Sequence, residues 1–309
     1  MFNKKVKNAL KKIKNITLEH LKKRYKLAYF TPTILAQKNI IIKFKSSQRD
    51  TAKAFLRLAN MHMVNLSDTK LDYTTWKIEP QKEVFTVPDG ITFTLDSLDP
   101  LIFAETFIYD IHFVEHDLNN KTVVEGGGFV GDTALYYANK GATVYTFEPD
   151  SITFSKLKNN IKLNPALSKK IKPINAAVGK NGKLKFAAEG SGGSRALNDN
   201  KPILGNKKYI EVESYSIDRI LSKYNIKKPY LLHLDIKGQE EEIITQNGIS
   251  NFKRIRLEYS FYLWKNKDNA NLAYLMDKLK KAGFTKIRIF KHNNLKIPLI
   301  LHGTVDASK

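Results

Sequence analysis

A chain of 309 residues, 42% hydrophobic and 27% charged, can bury the core of one large α/β domain with an attached segment, and its composition is globular rather than disordered. It has no cysteine, which excludes disulfide frameworks, thiol nucleophiles and cysteine-ligated metals. Lys and Arg number 52 against 30 Asp and Glu, a formal charge of +22, which admits nucleic acid, an anionic membrane surface or an acidic substrate as partner, although the lysines are spread so evenly that a general surface bias explains them at least as well.

Residues 1–30 hold ten Lys and Arg against the single acid Glu19. Val6, Leu10, Ile13 and Leu21 recur at helical spacing. A basic amphipathic helix is therefore expected, able to pack on the domain, lie on an anionic membrane or touch a polyanion. No apolar run approaches the roughly 18 residues needed to cross a bilayer. The N-terminus also lacks the apolar core and small-residue cleavage site of a secretory signal. A cytoplasmic protein is expected, with peripheral membrane contact left open. Residues 31–75 carry a mixed pattern, helical over 51–63, and complete a basic, mainly helical N-terminal segment, 1–75. Residues 83–95 then alternate apolar and polar side chains about Pro88-Asp89-Gly90, a β-hairpin signal, so a second unit is expected over 76–309.

From Lys121 onward strands and helices alternate, which predicts a largely parallel sheet with helices on both faces. Strands are expected at 122–125, 143–147, 171–175, 230–236, 254–258, 284–290 and 297–302. Helices are expected at 132–140, 151–163, 239–246 and 269–282, with Gly283 as the C-terminal glycine of the last. His292-Asn-Asn-Leu-Lys296 is too short to hold a crossover helix, so the last two strands must pair antiparallel. The stretch Glu189-Gly-Ser-Gly-Gly-Ser194 reads as a mobile loop.

Glu125-Gly126-Gly127-Gly128-Phe129-Val130-Gly131 follows the first strand of this series and precedes the helix beginning at Asp132. Glycines there allow close backbone approach to a ligand, and the helix N-terminus offers free N–H groups to an anionic moiety, such as the methionine carboxylate of S-adenosylmethionine (SAM). Glu148 closes the next strand 23 residues after Glu125, where a carboxylate can accept both hydroxyls of an adenosine ribose. Gly126, Gly128 and Gly131 also match the dinucleotide pattern G-x-G-x-x-G, so an NAD(P)- or flavin-dependent oxidoreductase is the main alternative. Two features favour SAM: the acid immediately before the glycines, and the terminal antiparallel hairpin.

Over roughly residues 83–290 the sequence resembles the FkbM family of SAM-dependent methyltransferases. Val123-Val-Glu-Gly-Gly-Gly-Phe-Val-Gly-Asp-Thr133 is similar to its first motif and Val144-Tyr-Thr-Phe-Glu-Pro-Asp150 to its second. Asn175-Ala-Ala-Val-Gly179 resembles the third-strand segment, and Ser216-Ile-Asp-Arg-Ile-Leu221 followed by Leu232-His-Leu-Asp-Ile-Lys-Gly-Gln-Glu240 the later motifs. Arg256-Leu-Glu258 resembles a further strand. The resemblance implies a Rossmann-like α/β fold with the seven-stranded class I methyltransferase sheet, and SAM held by Glu125, Gly126, Gly127, Gly128, Phe129, Gly131, Asp132, Thr133, Phe147, Glu148, Pro149, Asn175, Ala176 and Asp235. It also implies O-methylation, commonly of sugars, glycolipids or natural products. The family carries Asp where Glu125 stands and Glu where Lys237 stands, so no catalytic or metal role passes to Lys237.

Asp235 ends the fourth strand, where ligands gather near the switch in strand order. It could orient the donor or position an acceptor hydroxyl, with His233 or Glu258 as candidate general base; alternation favours His233 as an inward core residue. Glu240 is expected to stabilise the next helix, and Asp218 to make a turn or cap. His112-Phe-Val-Glu-His116 fits the zinc-peptidase pattern H-x-x-E-H, but it precedes the first strand rather than lying on a helix, so no metal ligand set is assigned. The acceptor is expected to be a small molecule or glycan. RNA methylation and a non-catalytic polyanion-binding module are the remaining readings.

Overall fold

The computed structural model describes residues 33–37, 40–43, 69–188, 190, 195–196, 209–291 and 297–309. Its centre is a seven-stranded sheet: β1 (Thr122–Gly126), β2 (Thr143–Phe147), β3 (Ile171–Ile174), β4 (Pro229–Leu234), β5 (Arg254–Ser260), β6 (Lys286–Phe290) and β7 (His302–Ser308). The spatial order is β6-β7-β5-β4-β1-β2-β3, all parallel except β7, which runs antiparallel between β5 and β6. This is the class I methyltransferase sheet expected above, with its terminal hairpin. Its helices are α1 (Pro100–Phe107), α2 (Asp132–Asn139), α3 (Ser151–Leu163), α4 (Pro165–Ser168), α5 (Ile217–Lys223), α6 (Glu240–Ile243) and α7 (Leu272–Lys281).

The period-2 alternation of the strands divides the core between the two faces. Val123, Val144, Ile171 and Leu231 pack with α2 and α3 on one side. Val124, Leu232, Leu234, Ile255 and Leu257 pack with α5 and α7 on the other. The predicted hairpin forms, Val84–Thr86 against Thr92–Thr94, with Gly90 at φ +82° in its turn. Phe85 and Phe93 stack 5.5 Å apart and join Trp76, Phe103 and Phe107 in an aromatic cluster. Two buried asparagines on and after α3 satisfy the hairpin edge: Thr94 N–H donates to Asn160 (2.8 Å) and Thr92 N–H to Asn164 (2.9 Å). Asn160 also donates to the Val130 carbonyl (2.8 Å), so one side chain ties the hairpin to the glycine loop.

Three expectations need correction. Over 31–75 the described segments are strands, Thr33–Gln37, Ile40–Lys43 and Thr69–Asp72, rather than helix; the helices expected over 1–30 and 51–63 lie outside the described residues. The last strand is His302–Ser308, not 297–302. It is paired on both sides, and Pro298, without an N–H, cannot serve such a ladder, so the apolar run 297–301 becomes a turn. The helix expected over 239–246 is the single turn α6 followed by the 3₁₀ segment Asn247–Asn251. The antiparallel pair Gly182–Ala187 and Tyr209–Tyr215 was not anticipated, and most of the glycine-serine stretch after it lies outside the described residues.

Candidate cofactor and acceptor cleft

The strands β1, β2 and β3 run outward in one direction and β4 and β5 in the other, so the order switches between β1 and β4. At that point the carboxyl ends line up, Leu234 level with Gly126 and Gly126 level with Phe147. A cleft opens there, about 840 Å³ with its solvent mouth included, at the place where sheets of this kind bind ligands.

Its floor is the glycine loop. Gly127 adopts φ +86°, and a Cβ there would collide with the Asp235 carbonyl oxygen. A Cβ on Gly128 would collide with the Thr146 hydroxyl. Both amides donate to the Phe147 carbonyl, at 3.0 and 2.9 Å. These two glycines are thus required by the close approach of β1 to β4 and β2, which leaves the loop backbone flush with the cleft. Gly131, at φ +88°, caps α2.

Glu148 sits at the end of β2, 6% exposed. Its oxygens accept from Phe129 N–H and Asp150 N–H, each at 2.8 Å. Burial pushes its carboxyl up to about 7 against those stabilising bonds. Asn175, from beyond β3, donates to the carbonyls of Glu148 and Pro149 and fixes the turn. Asp132, at the first position of α2, accepts from the Thr106 hydroxyl (2.8 Å). Burial, with help from neighbouring Glu125, raises it to about 8.

Glu125 is fully buried and in register with His233. One of its oxygens accepts from the Thr133 hydroxyl and lies 3.3 Å from His233 Nδ1; the other has no hydrogen-bond partner. The His233 ring meets those of His112 and Tyr137 edge-on, at 4.9 and 5.5 Å, which is a core environment with one edge on the cleft. Asp235, Ile236 and Lys237 follow β4 directly. Burial would lower the Lys237 ammonium, yet Asp235, Glu258 and Glu105 around it hold it above its ordinary value. Glu240 is not a helix dipole partner alone: it accepts from Gly238 N–H and from Trp264 (3.0 Å), clamping the turn after β4. Asp218 accepts from Gly248 N–H (3.2 Å).

Of the residues expected from sequence, Gly127, Phe129, Asp132, Thr133, Glu148, Pro149, His233 and Asp235 line the cleft. Glu125, Gly126, Gly128, Gly131, Phe147, Asn175, Ala176 and Glu258 stand behind it as supports. The cleft also takes in Ile102, Glu105 and Leu184, which the motifs did not single out because they come from α1 and the small antiparallel sheet, and Phe186 and Gln239, which fall within segments that resemble the family but were given no site role. His112–His116 is turn rather than helix, so its imidazoles share no helix face. Among the described residues no group of three or more His, Asp and Glu is arranged to hold a metal.

The donor set discriminates between ligands. Glu105, Asp132, Glu148 and Asp235 line the cleft against one lysine, Lys237. Such a lining offers hydrogen-bonding carboxyl groups to the hydroxyls and ammonium of a ligand, and a single cation to a pyrophosphate. The unsatisfied oxygen of Glu125, behind Thr133 and His233, is an acceptor awaiting a donor. The residues therefore fit SAM.

A model of the methyltransferase FkbM domain matches residues 119–286. Among solved structures, similarity extends to an FkbM methyltransferase from Methylobacillus flagellatus, 16% identical over 65% of this chain and 47% of that one, TM-score 0.44. A precorrin-6y C5,15-methyltransferase from Geobacter metallireducens is 14% identical over 63% and 83%, TM-score 0.34. Aeropyrum pernix fibrillarin, solved with natively bound SAM, is 14% identical over 67% and 74%, TM-score 0.37. The chain spans about half the length of the Methylobacillus protein. No curated protein matches it significantly.

Proposed function

The chain belongs to the FkbM family of SAM-dependent methyltransferases, and from that premise we propose that it methylates a hydroxyl of a sugar, glycan or glycolipid. The observation that supports this acceptor is the acidic lining at the β4 and β5 end of the cleft. Glu105 and Asp235 line it with Lys237, and Glu258 lies beside them. Carboxylates accept hydrogen bonds from neutral polyhydroxylated ligands but repel a phosphate backbone, so a glycan suits this cleft better than RNA despite the net charge of +22.

In this reading Glu148 receives the ribose hydroxyls, while the loop from Gly126 to Gly128, with Phe129 and Pro149, bounds the adenosyl group. The methionine end lies along Asp132 and Thr133, with Glu125 behind them, and His233 acts through Glu125 as a positioning residue. When bound, SAM supplies an electrophilic methyl group on a sulfonium, so most of the acceleration comes from in-line positioning of the acceptor oxygen. Asp235 is the residue proposed to hold the acceptor hydroxyl and take up its proton. Lys237 interacts electrostatically with Asp235, and Glu258, which His302 approaches to 3.5 Å, is the second carboxylate available.

Calorimetric titration with SAM, S-adenosylhomocysteine and NAD tests the donor: binding of the first two and not of NAD is expected, and NAD binding without SAM binding refutes it. Turnover of radiolabelled SAM against a panel of neutral glycans, glycolipids and RNA tests the acceptor. Label carried only by RNA would overturn the glycan reading while leaving the donor site intact.

A further inference from the structure

The strand β7 enters the sheet at the same carboxyl end as the cleft, with His302 opposite Ser260 of β5. The chain reaches it through the turn 297–301, where Leu299, Ile300 and Leu301 are consecutive aliphatic side chains exposed at 38%, 69% and 40%. Tyr262, 44% exposed, stands beside them on the 3₁₀ turn Phe261–Leu263, its ring 6.5 Å from that of His302. This is a built surface. The Tyr259 hydroxyl donates to the Leu299 carbonyl (2.6 Å) and Phe261 N–H to the Leu301 carbonyl (2.9 Å). Leu301 and His302 N–H both donate to the Pro298 carbonyl, at 2.9 and 3.1 Å. The fold holds the backbone of this turn firmly while leaving its apolar side chains in water.

Exposed cations flank the patch on both sides. The Lys267 ammonium bonds the Phe261 and Tyr262 carbonyls at 3.4 and 3.0 Å, with Lys265 close by, and Lys291 follows β6 on the opposite flank. An aliphatic tip, an aromatic ring at its shoulder and a collar of lysines is the composition of an element that enters the headgroup region of an anionic bilayer. A second copy of the chain is a poorer occupant, because four side chains fall well short of the roughly 800 Å² per partner that a stable interface buries.

We propose that the 297–301 turn and Tyr262 seat the protein on an anionic lipid surface, with the open end of the cleft turned towards the membrane. Only β5 separates β7 from β4, which carries Asp235 at its end, so an acceptor hydroxyl displayed at the headgroup level would face the site. The inference goes beyond the methyl-transfer reading and is tested without donor or acceptor.

The full chain would be sedimented with vesicles of phosphatidylglycerol and phosphatidylcholine, and with phosphatidylcholine alone. Binding to the anionic vesicles is expected, reduced by at least about tenfold in Ile300→Asp, because one buried aliphatic side chain accounts for a factor of that size, and retained in Ile300→Trp. Since the Ile300 side chain is mostly in water, 69% exposed, the thermal midpoint and SAM affinity of both variants should equal those of the parent. Absence of vesicle binding, or binding equally strong in Ile300→Asp, would overturn the proposal, the second outcome assigning it to lysines alone. A dimer that Ile300→Asp dissociates, with lipid binding unaltered, would overturn it in favour of a second copy. Loss of SAM binding by the parent chain, with vesicle binding intact, would count against the cleft reading only.

Discussion

Glu148 joins two sides of the cleft through a single carboxylate, since its oxygens take N–H groups from the glycine loop and from the turn into α3. Replacing it with Ala strands both donors in a buried place, at about 1–3 kcal/mol each, and removes the acceptor proposed for the ribose. SAM affinity is expected to fall by about 10- to 100-fold in Glu148→Ala, measured by calorimetry, and less in Glu148→Gln. Burial holds this carboxyl near 7, and a cationic ligand favours its ionised form. The affinity for SAM should therefore rise as pH climbs from about 6 to about 8; an affinity that falls across that range would overturn the placement of Glu148 beside the bound donor. Stability of the ligand-free chain should move the other way. Asp132, raised to about 8, and Glu148, raised to about 7, keep protons in the folded state that the unfolded chain has already released above about 4 to 4.5. Stability is thus lost as pH rises through that window, and calorimetric midpoints at pH 5 and pH 8 provide the comparison. At this scale the motif residues Glu125, Glu148 and Asp235 were legible in the sequence, because acids at strand ends beside glycines have few structural reasons to be there. Glu105 was not, because nothing in the sequence around α1 announces that its carboxylate reaches a cleft built by strands beyond it.

The turn between β1 and α2 is where sequence pattern and packing agree most closely. Gly127 is left-handed and would meet the Asp235 backbone, so Gly127→Ala combines a φ penalty of about 1–2 kcal/mol with overpacking of about 1–3 kcal/mol. Urea unfolding should show a loss of roughly 2–5 kcal/mol, with SAM binding lost as β1 and β4 separate; a stability within experimental error of the parent would mean that the loop relaxes freely. The strand into the terminal hairpin shows the reverse situation. Ile297 to Leu301 is the more apolar run, yet β7 is His302–Ser308, with only Val305 and Ala307 as fully buried apolar side chains. Local hydrophobicity misplaced the strand because Pro298 cannot donate to a ladder that β7 must serve on both sides. The helix-period pattern fared well for α3, which spans the expected 151–163, and poorly for α6, where Gly248 enters the turn against α5.

Across the whole molecule, the β5–β7–β6 hairpin is fastened to the domain by one buried carboxylate. Asp306 receives Arg254 in a two-bond fork at 2.7 and 2.6 Å and lies 3.0 Å from the guanidinium of Arg256, itself 1% exposed. Arg254 and Arg256 also donate to the carbonyls of Val114 and Ile111, drawing in the segment that precedes β1. Burial would raise the Asp306 carboxyl, but the arginines outweigh it and hold it below its ordinary value. Its contribution is present above about pH 4 and lost as pH falls further. Asp306→Ala leaves Arg256 buried without its counter-charge and is expected to cost about 3–5 kcal/mol in urea unfolding; a loss below about 1 kcal/mol would show that the cluster is neutral to folding. The sequence by itself determined the alternation of strands and helices, the antiparallel end of the sheet, the glycine loop and its two acids, because these rest on periodicity, short connections and local turn chemistry. Only the tertiary structure decided which residues share the cleft, that Glu105 joins Asp235 and Lys237 in its lining, and that an apolar turn stands exposed at the same end of the sheet. Glu105 and Asp235 are more than a hundred residues apart in the chain, and burial and charge at a point depend on everything folded around it.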